Sequence, residues 1–408
     1  MYDFTVFGYY AAPIGRTFFP SGSDFASLML AFVTFGVGFL IRPLGALVLG
    51  AYMDRRGRRA GLILTFALMS VGTFSIACVP GYAVIGVAAP LLVMAGRLLQ
   101  GFSAGVEIGS VSVYLSEIAT PGHKGFYVSW QNGSQQIAVV LAALLGVILS
   151  SSLTRAQVDS WGWRLPLLVG CAIIPFLFMI RRSLAETGEF LARKHPSSTR
   201  DVLVSLVVNW RILGLSTMLI ALSTSCFYLI TAYTPTFGRT VLHLADIDNL
   251  LVTVCTGVSN FLWLPAMGAL SDRVGRRPML FACTILMLAT AYPALLWLTT
   301  AASFSRLLCV ELWLSFLYAS YNAAMVVYLT EVLPAGVRAS GFSLAQSMAA
   351  AVFGGFTPAI CTYLISRTGN PASPGLWLSV TASIALAATF LSGRLQPAAP
   401  ELAVTPQP

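Results

Sequence analysis

The chain has 408 residues, 57% of them hydrophobic and only 10% charged. A soluble globular domain carries about a quarter charged residues, so this composition excludes one and calls for lipid as solvent. The net charge of +9 invites a nucleic-acid reading, which the distribution of the basic residues excludes.

Twelve continuous apolar runs follow one another: 1–15, 26–53, 60–80, 84–113, 125–151, 163–181, 211–235, 247–270, 278–299, 307–330, 339–366 and 374–393. A helix needs about 20 apolar residues to cross a bilayer. Continuous rather than alternating runs predict helices, not a barrel. The first run meets Arg16 after fifteen residues, short for a span. It has no basic leader segment and no small-residue cleavage site, so it is not a signal peptide. It reads as a truncated helix whose true start lies upstream of Met1. The polar stretch 183–210 then reads as a linker, partly helical and lying along the membrane surface. The Pro- and Ala-rich tail 395–408 reads as disordered.

The loops set the orientation. If those after the second and eighth spans are cytoplasmic, sixteen of the 24 Lys and Arg lie on that side and six on the other. Only Arg42 and Arg97 fall within spans. This is the positive-inside bias, a topology signal rather than a nucleic-acid patch, and it predicts cytoplasmic termini for the full-length chain. The seven cysteines lie in or beside spans with no metal or disulfide spacing, and the three histidines lie in loops.

The two loops say the same thing 218 residues apart. Gly50-Ala-Tyr-Met-Asp54-Arg-Arg-Gly57-Arg58-Arg59 is echoed by Gly268-Ala-Leu-Ser-Asp272-Arg-Val-Gly275-Arg276-Arg277. Tyr114-Leu-Ser-Glu117 is likewise echoed by Tyr328-Leu-Thr-Glu331. The duplicated Gly-x-x-x-Asp-Arg-x-Gly-Arg-Arg loop resembles the signature of the major facilitator superfamily. That resemblance implies an all-α membrane protein of two six-helix bundles, 1–182 and 211–394, with a substrate site at their interface near the midplane. Asp54 follows a span and can face the positive end of a neighbouring helix. Arg58 and Arg276 can pair with Glu117 and Glu331 when the cytoplasmic side is closed. Asp54, Arg58, Glu117, Asp272, Arg276 and Glu331 are therefore the expected gate.

Ionisable residues at membrane depth cost several kcal/mol and are functional candidates by default. Arg42 lies twelve residues before Asp54, about 18 Å inside. Arg97 begins a face carrying Gly101, Gly105 and Gly109, a small-x-x-x-small pattern for close packing. Both arginines are candidate anion ligands or partners for a protonatable acid. Asp3 and Glu107 are the acids deep enough to carry a proton. On a continuous helix, Glu107 sits about 15 Å from Arg97 and roughly 80° round. Glu311, near the outer end of the tenth span, reads as interfacial. Neutral polar groups gather on the fifth span from Trp130 to Gln136, with others on the seventh, eighth, tenth and eleventh. Any single one can be interhelical glue, but their concentration on both halves suggests a polar cavity. Arginine with amide and phenol donors suits a carboxylate-bearing solute.

Longer stretches are more specific. Gly38-Phe-Leu-Ile-Arg42-Pro43-Leu-Gly45 and Gly96-Arg97-Leu-Leu-Gln100-Gly101-Phe-Ser-Ala-Gly105-Val-Glu107 resemble the metabolite:proton symporter branch. Ser129-Trp130-Gln131, Ser134-Gln135-Gln136, Tyr233-Thr-Pro-Thr, Gly257-Val-Ser-Asn260-Phe and Gly354-Gly355-Phe-Thr-Pro358 resemble its bacterial citrate:proton and tricarballylate:proton members. The resemblance implies uptake of a tricarboxylate with protons across a bacterial inner membrane by a multi-pass, monomeric carrier, with protons as coupling ion and no cofactor. It implies proton-coupling roles for Asp3 and Glu107. Expected substrate contacts are Arg97, Arg42, Gln131 and Gln135, with Tyr321 and Asn322 placed from depth alone. The rival of the same branch is a symporter of a dicarboxylate or an osmolyte of the proline/betaine type. A multidrug exporter would need a glycine-rich Gly-Pro pattern in the fifth span. An enzyme would need a catalytic constellation, and no intramembrane His, metal cluster or nucleophile-base pair is present. A receptor that binds a solute without moving it is the rival of another class.

Overall fold

The structure, a computed structural model, describes residues 1–56, 58–105, 107–172, 204, 207–334 and 338–393. Much of the sixth span, most of the expected linker and the tail lie outside the described residues. The described residues form helices and no strand. Eight of these helices are long and apolar enough to cross a membrane. Helices up to residue 172 make up the first half and those from Trp210 onward the second.

Several spans are broken, each for a local reason. The first divides into Tyr2–Tyr9 and Ala11–Phe18 at Tyr10, whose φ and ψ of −105° and 22° leave the helical region. The fourth is described as Ala88–Ala104 and Glu107–Ile118, with residue 106 between them outside the described residues. The seventh runs Trp210–Tyr228, then a π-helical turn Leu229–Tyr233, then Thr234–Thr240. Pro235 has no N–H to give and its ring crowds the preceding turn. The turn widens in response, and the Leu229 carbonyl accepts both the amide and the hydroxyl of Thr234. The eleventh span repeats the device: a π turn Ala350–Gly354 precedes Thr357–Thr368, again opening on Thr-Pro.

Among the described residues the halves meet along several pairs of faces. The fifth span (Lys124–Ser152) packs along the eighth (Asp246–Val274), and the second and fourth spans pack against the eleventh. One close approach is Gly125 on Gly268. A Cβ on either glycine would collide with the other's carbonyl oxygen. The first span meets the seventh at Gly8, whose missing Cβ leaves room for the Ala232 carbonyl. Inside the first bundle Gly38 and Gly101 make the same kind of backbone contact, which is what the small-residue face on the fourth span was expected to do.

Candidate functional site

The centre of the first bundle is a cage of rings around two buried cations. The Arg97 guanidinium lies 4.4 Å from the Phe7 ring centre, 4.6 Å from Phe4 and 4.9 Å from Phe35. Arg42 lies 3.9 Å from Phe39 and 4.6 Å from that same Phe4 ring. The negative faces of these rings replace part of the lost water, each contact contributing up to about 2 kcal/mol when desolvated. Tyr228 of the seventh span closes the cage from the other bundle. Its ring packs on Phe39 at 5.0 Å and its hydroxyl is a hydrogen-bond partner of Arg42.

A chain of side chains runs from Arg97 to Asp3. Arg97 Nη1 donates to Gln100 Oε1, Gln100 Nε2 donates to Thr73 Oγ1, and Thr73 donates to Asp3 Oδ2, each at 2.8 Å. All four side chains are buried. Cation and acid are thus joined through oriented dipoles rather than by a direct ion pair. Gly170 of the sixth span closes over the acid, and a Cβ there would sit 2.6 Å from Asp3 Oδ1. Nε and Nη2 of Arg97 meet no acceptor among the described residues. Leaving such donors unmet in a dry site is costly, and an incoming carboxylate would satisfy them.

A second polar seam joins the halves. Asn132 of the fifth span donates to Asn322 of the tenth at 2.8 Å, and Asn322 donates to Ser223 of the seventh at 2.6 Å. One turn along, Asn260 of the eighth span donates to Gln136 at 3.3 Å and accepts from Ser315 at 2.8 Å. Asn322 therefore lies where the halves meet. Gln131 is buried, with its Oε1 meeting no donor among the described residues. Gln135 is half-buried, one helical step from the Asn132 and Gln136 face. The Tyr321 hydroxyl is held by the Leu219 carbonyl at 2.7 Å.

Both ends are tied. At one, Asp272 Oδ1 accepts from the Gly125 amide at 2.8 Å and Oδ2 from the Phe126 amide at 3.1 Å. The carboxylate so caps the positive N-terminus of the fifth span, in the opposite bundle. Arg276 holds it at 2.6 Å and reaches Glu331 at 3.4 Å. In the first half Glu117 is exposed. The side chains of its expected partners, Asp54 and Arg58, lie outside the described residues, as does that of Glu107. At the other end Asp159, on the turn after the fifth span, takes Arg16 and Arg239, each at 3.1 Å, and Arg239 also reaches Asp246 at 3.5 Å. Arg239 ends the seventh span, so this pair too crosses between bundles.

The structure thus gathers Asp3, Arg42 and Arg97 into one site and puts Asp272, Arg276 and Glu331 into one latch. Glu311 is corrected: it is 3% exposed, not interfacial, because its helix starts at the Ser303 cap, which sets the carboxylate two turns in, where Thr234 of the seventh span covers it. Nothing in the sequence singled out Thr73, Asp159, Arg239 or the four cage phenylalanines. Asn132 and Gln136 were visible in the polar cluster, but only helical phase separates them from Gln135.

The sequence matches the Major Facilitator Superfamily over residues 1–358. It is 58% identical to a citrate-proton symporter of Salmonella typhi, over 96% of this chain and 90% of that one. It is 57% identical to a citrate-proton symporter of Klebsiella pneumoniae, over 95% and 87%. The fold is similar to that of the E. coli xylose transporter XylE in a partially occluded inward-open form, with a TM-score of 0.74 over 97% of this chain and 96% of that one at 18% identity. On this evidence the chain belongs to the Major Facilitator Superfamily of membrane transporters.

Proposed function

We propose that the protein takes up citrate, or the closely related tricarballylate, together with protons across a bacterial inner membrane. The supporting observation is the caged pair Arg42 and Arg97, with unmet Arg97 donors and a hydrogen-bonded route to Asp3. Two guanidiniums offset two of a tricarboxylate's negative charges, and planar forks suit carboxylates in paired contacts. The likeness to two citrate-proton symporters points to the same solute.

In this reading Arg97, Arg42 and Gln131 bind the solute from one bundle, with Gln135 at the edge of the seam. Asn322 binds from the other bundle, and Tyr321 does so when it releases the Leu219 carbonyl. Asp3 carries the proton, with Glu107 as its second carrier. Asp54, Arg58 and Glu117 form a latch matching the one at Asp272, both facing the cytoplasm, as do the termini of the full-length chain. The bundles 1–182 and 211–394 rock as units about the linker 183–210, so that one latch opens while the other holds. The carrier acts as a monomer.

The test is labelled-citrate uptake into proteoliposomes under an imposed inward proton gradient, challenged with unlabelled tricarballylate, succinate and betaine. Gradient-dependent uptake blocked by tricarballylate is expected. Uptake blocked equally by succinate or betaine would replace the tricarboxylate with a dicarboxylate or an osmolyte.

A further inference from the structure

The tenth span holds an acid that the site above leaves unused. Glu311 lies seven residues into the helix Phe304–Val332, about 10 Å from its outer end. Its Oε1 accepts the Thr234 hydroxyl at 2.6 Å. Its Oε2 is buried and meets no hydrogen-bond partner among the described residues. No ion pair among the described residues includes it.

The groups around it do not supply a counter-charge. From the seventh span it faces Thr234, and the Cys226 thiol donates to the Leu314 carbonyl one turn along the helix of Glu311. The eighth span presents the neutral Thr256, Ser259 and Asn260 to Ser315, one turn along the same helix. The ninth presents Thr290 to Trp313. An ionised carboxylate with one hydroxyl partner and no cation costs several kcal/mol in such a place. A neutral carboxylic acid does not carry that cost.

We propose that Glu311 is a further proton-binding site, separate from Asp3 and Glu107, and that it must hold a proton before the Asp159 end can close. Thr234, its partner, is the first residue of the short helix Thr234–Thr240 that follows the π turn. That same helix carries Arg239, which ties the bundles through Asp159. When the helix swings out, water reaches Glu311 and takes its proton. For the helix to reseat, with Thr234 on the carboxyl and Arg239 on Asp159, Glu311 must first take a proton back from the water at that end. The proton comes from and returns to solvent, so nothing else is consumed. This links closure of the outer face to outside acidity, and it rests on the proton-coupled transport proposed above.

Two measurements on the reconstituted full chain test it. In the first, infrared spectra are recorded across a pH titration. A carboxylic-acid carbonyl band is expected that is absent in Glu311→Gln and shifted in Thr234→Val, which keeps the acid but removes its hydrogen bond. A Glu311→Gln spectrum identical to the parent's overturns the proposal. Should that variant not fold, an unshifted band in both Thr234→Val and Glu311→Asp overturns it instead. In the second, spin labels placed across the Asp159 end report its closure by pulsed EPR as the outside pH is varied. Closure that falls as pH rises is expected in the parent, and closure independent of pH in Glu311→Gln, which stays neutral; the same pH dependence in both overturns the proposal. A parent chain with no gradient-driven citrate uptake would remove the transport reading, and the infrared titration would still decide on Glu311.

Discussion

Replacing Asp272 by asparagine removes one charge from the place where it holds the two bundles together. The carboxylate accepts two amide hydrogens from the start of the fifth span and one contact from Arg276 at 2.6 Å. Its side chain is only 5% exposed, so water screens little of this. Hydrogen bonds to charged groups contribute about 1.5–3 kcal/mol each. The helix N-terminus adds roughly 0.3–1 kcal/mol. Asparagine keeps one acceptor oxygen and so retains about one neutral bond. The closed arrangement at this end should lose about 3 kcal/mol, roughly a hundredfold in the open-to-closed ratio. Spin labels on Lys124→Cys and Arg273→Cys, both exposed and in opposite bundles, report that ratio by pulsed EPR once the seven native cysteines are replaced. Glu331→Gln is the internal comparison. Its contact to Arg276 is 3.4 Å long and 37% exposed, worth at most about 1 kcal/mol. A distance distribution in Asp272→Asn that matches the parent's, or a larger effect from Glu331→Gln, would refute the reasoning.

Asp159→Asn should shift the balance the other way, widening label distances at the opposite end and leaving the Asp272 end closed, in the same EPR experiment. Arg97→Lys should lower gradient-driven citrate uptake by a hundredfold or more, because an ammonium cannot spread across three rings or fork to a carboxylate; uptake within threefold of the parent would count against the caged site. Thr73→Val keeps the shape but cuts the route between Asp3 and Gln100, stranding buried polar atoms at about 1–3 kcal/mol. Citrate uptake should fall about tenfold while the folded yield on size exclusion stays near the parent's. Gly268→Leu should abolish the monodisperse peak, since its Cβ would overlap the Gly125 carbonyl.

Charge and periodicity made much of this legible in the sequence. Arg42, Arg97 and Asp3 stand out because an ionisable group in a span needs a reason. The Asp272 latch stands out because its motif occurs twice. The cage does not, because Phe4, Phe7, Phe35 and Phe39 look like any lipid-facing or core aromatic until two cations are placed among them. Thr73 is one hydroxyl in an apolar run, and hydroxyls in helices commonly bond their own backbone, as Thr73 also does to Met69. Glu311 was misplaced because depth was counted from the end of the apolar run, whereas the helix begins at its Ser303 cap. The Asp159 and Arg239 pair joins residues 80 apart through a turn with no period to read.

Both guanidiniums address opposite sides of the same question through one ring, Phe4, at equal distances of 4.6 Å. Two like charges against one phenyl group repel across a medium that screens them poorly. A bound anion relieves that repulsion, and an empty site does not. Tying the Asp272 and Asp159 ends at the same time should therefore be easier with an anion on the two guanidiniums than without one. In a symporter that difference has a physiological meaning. It suppresses the idle cycle in which protons cross alone, so the proton gradient is not dissipated when no solute is outside.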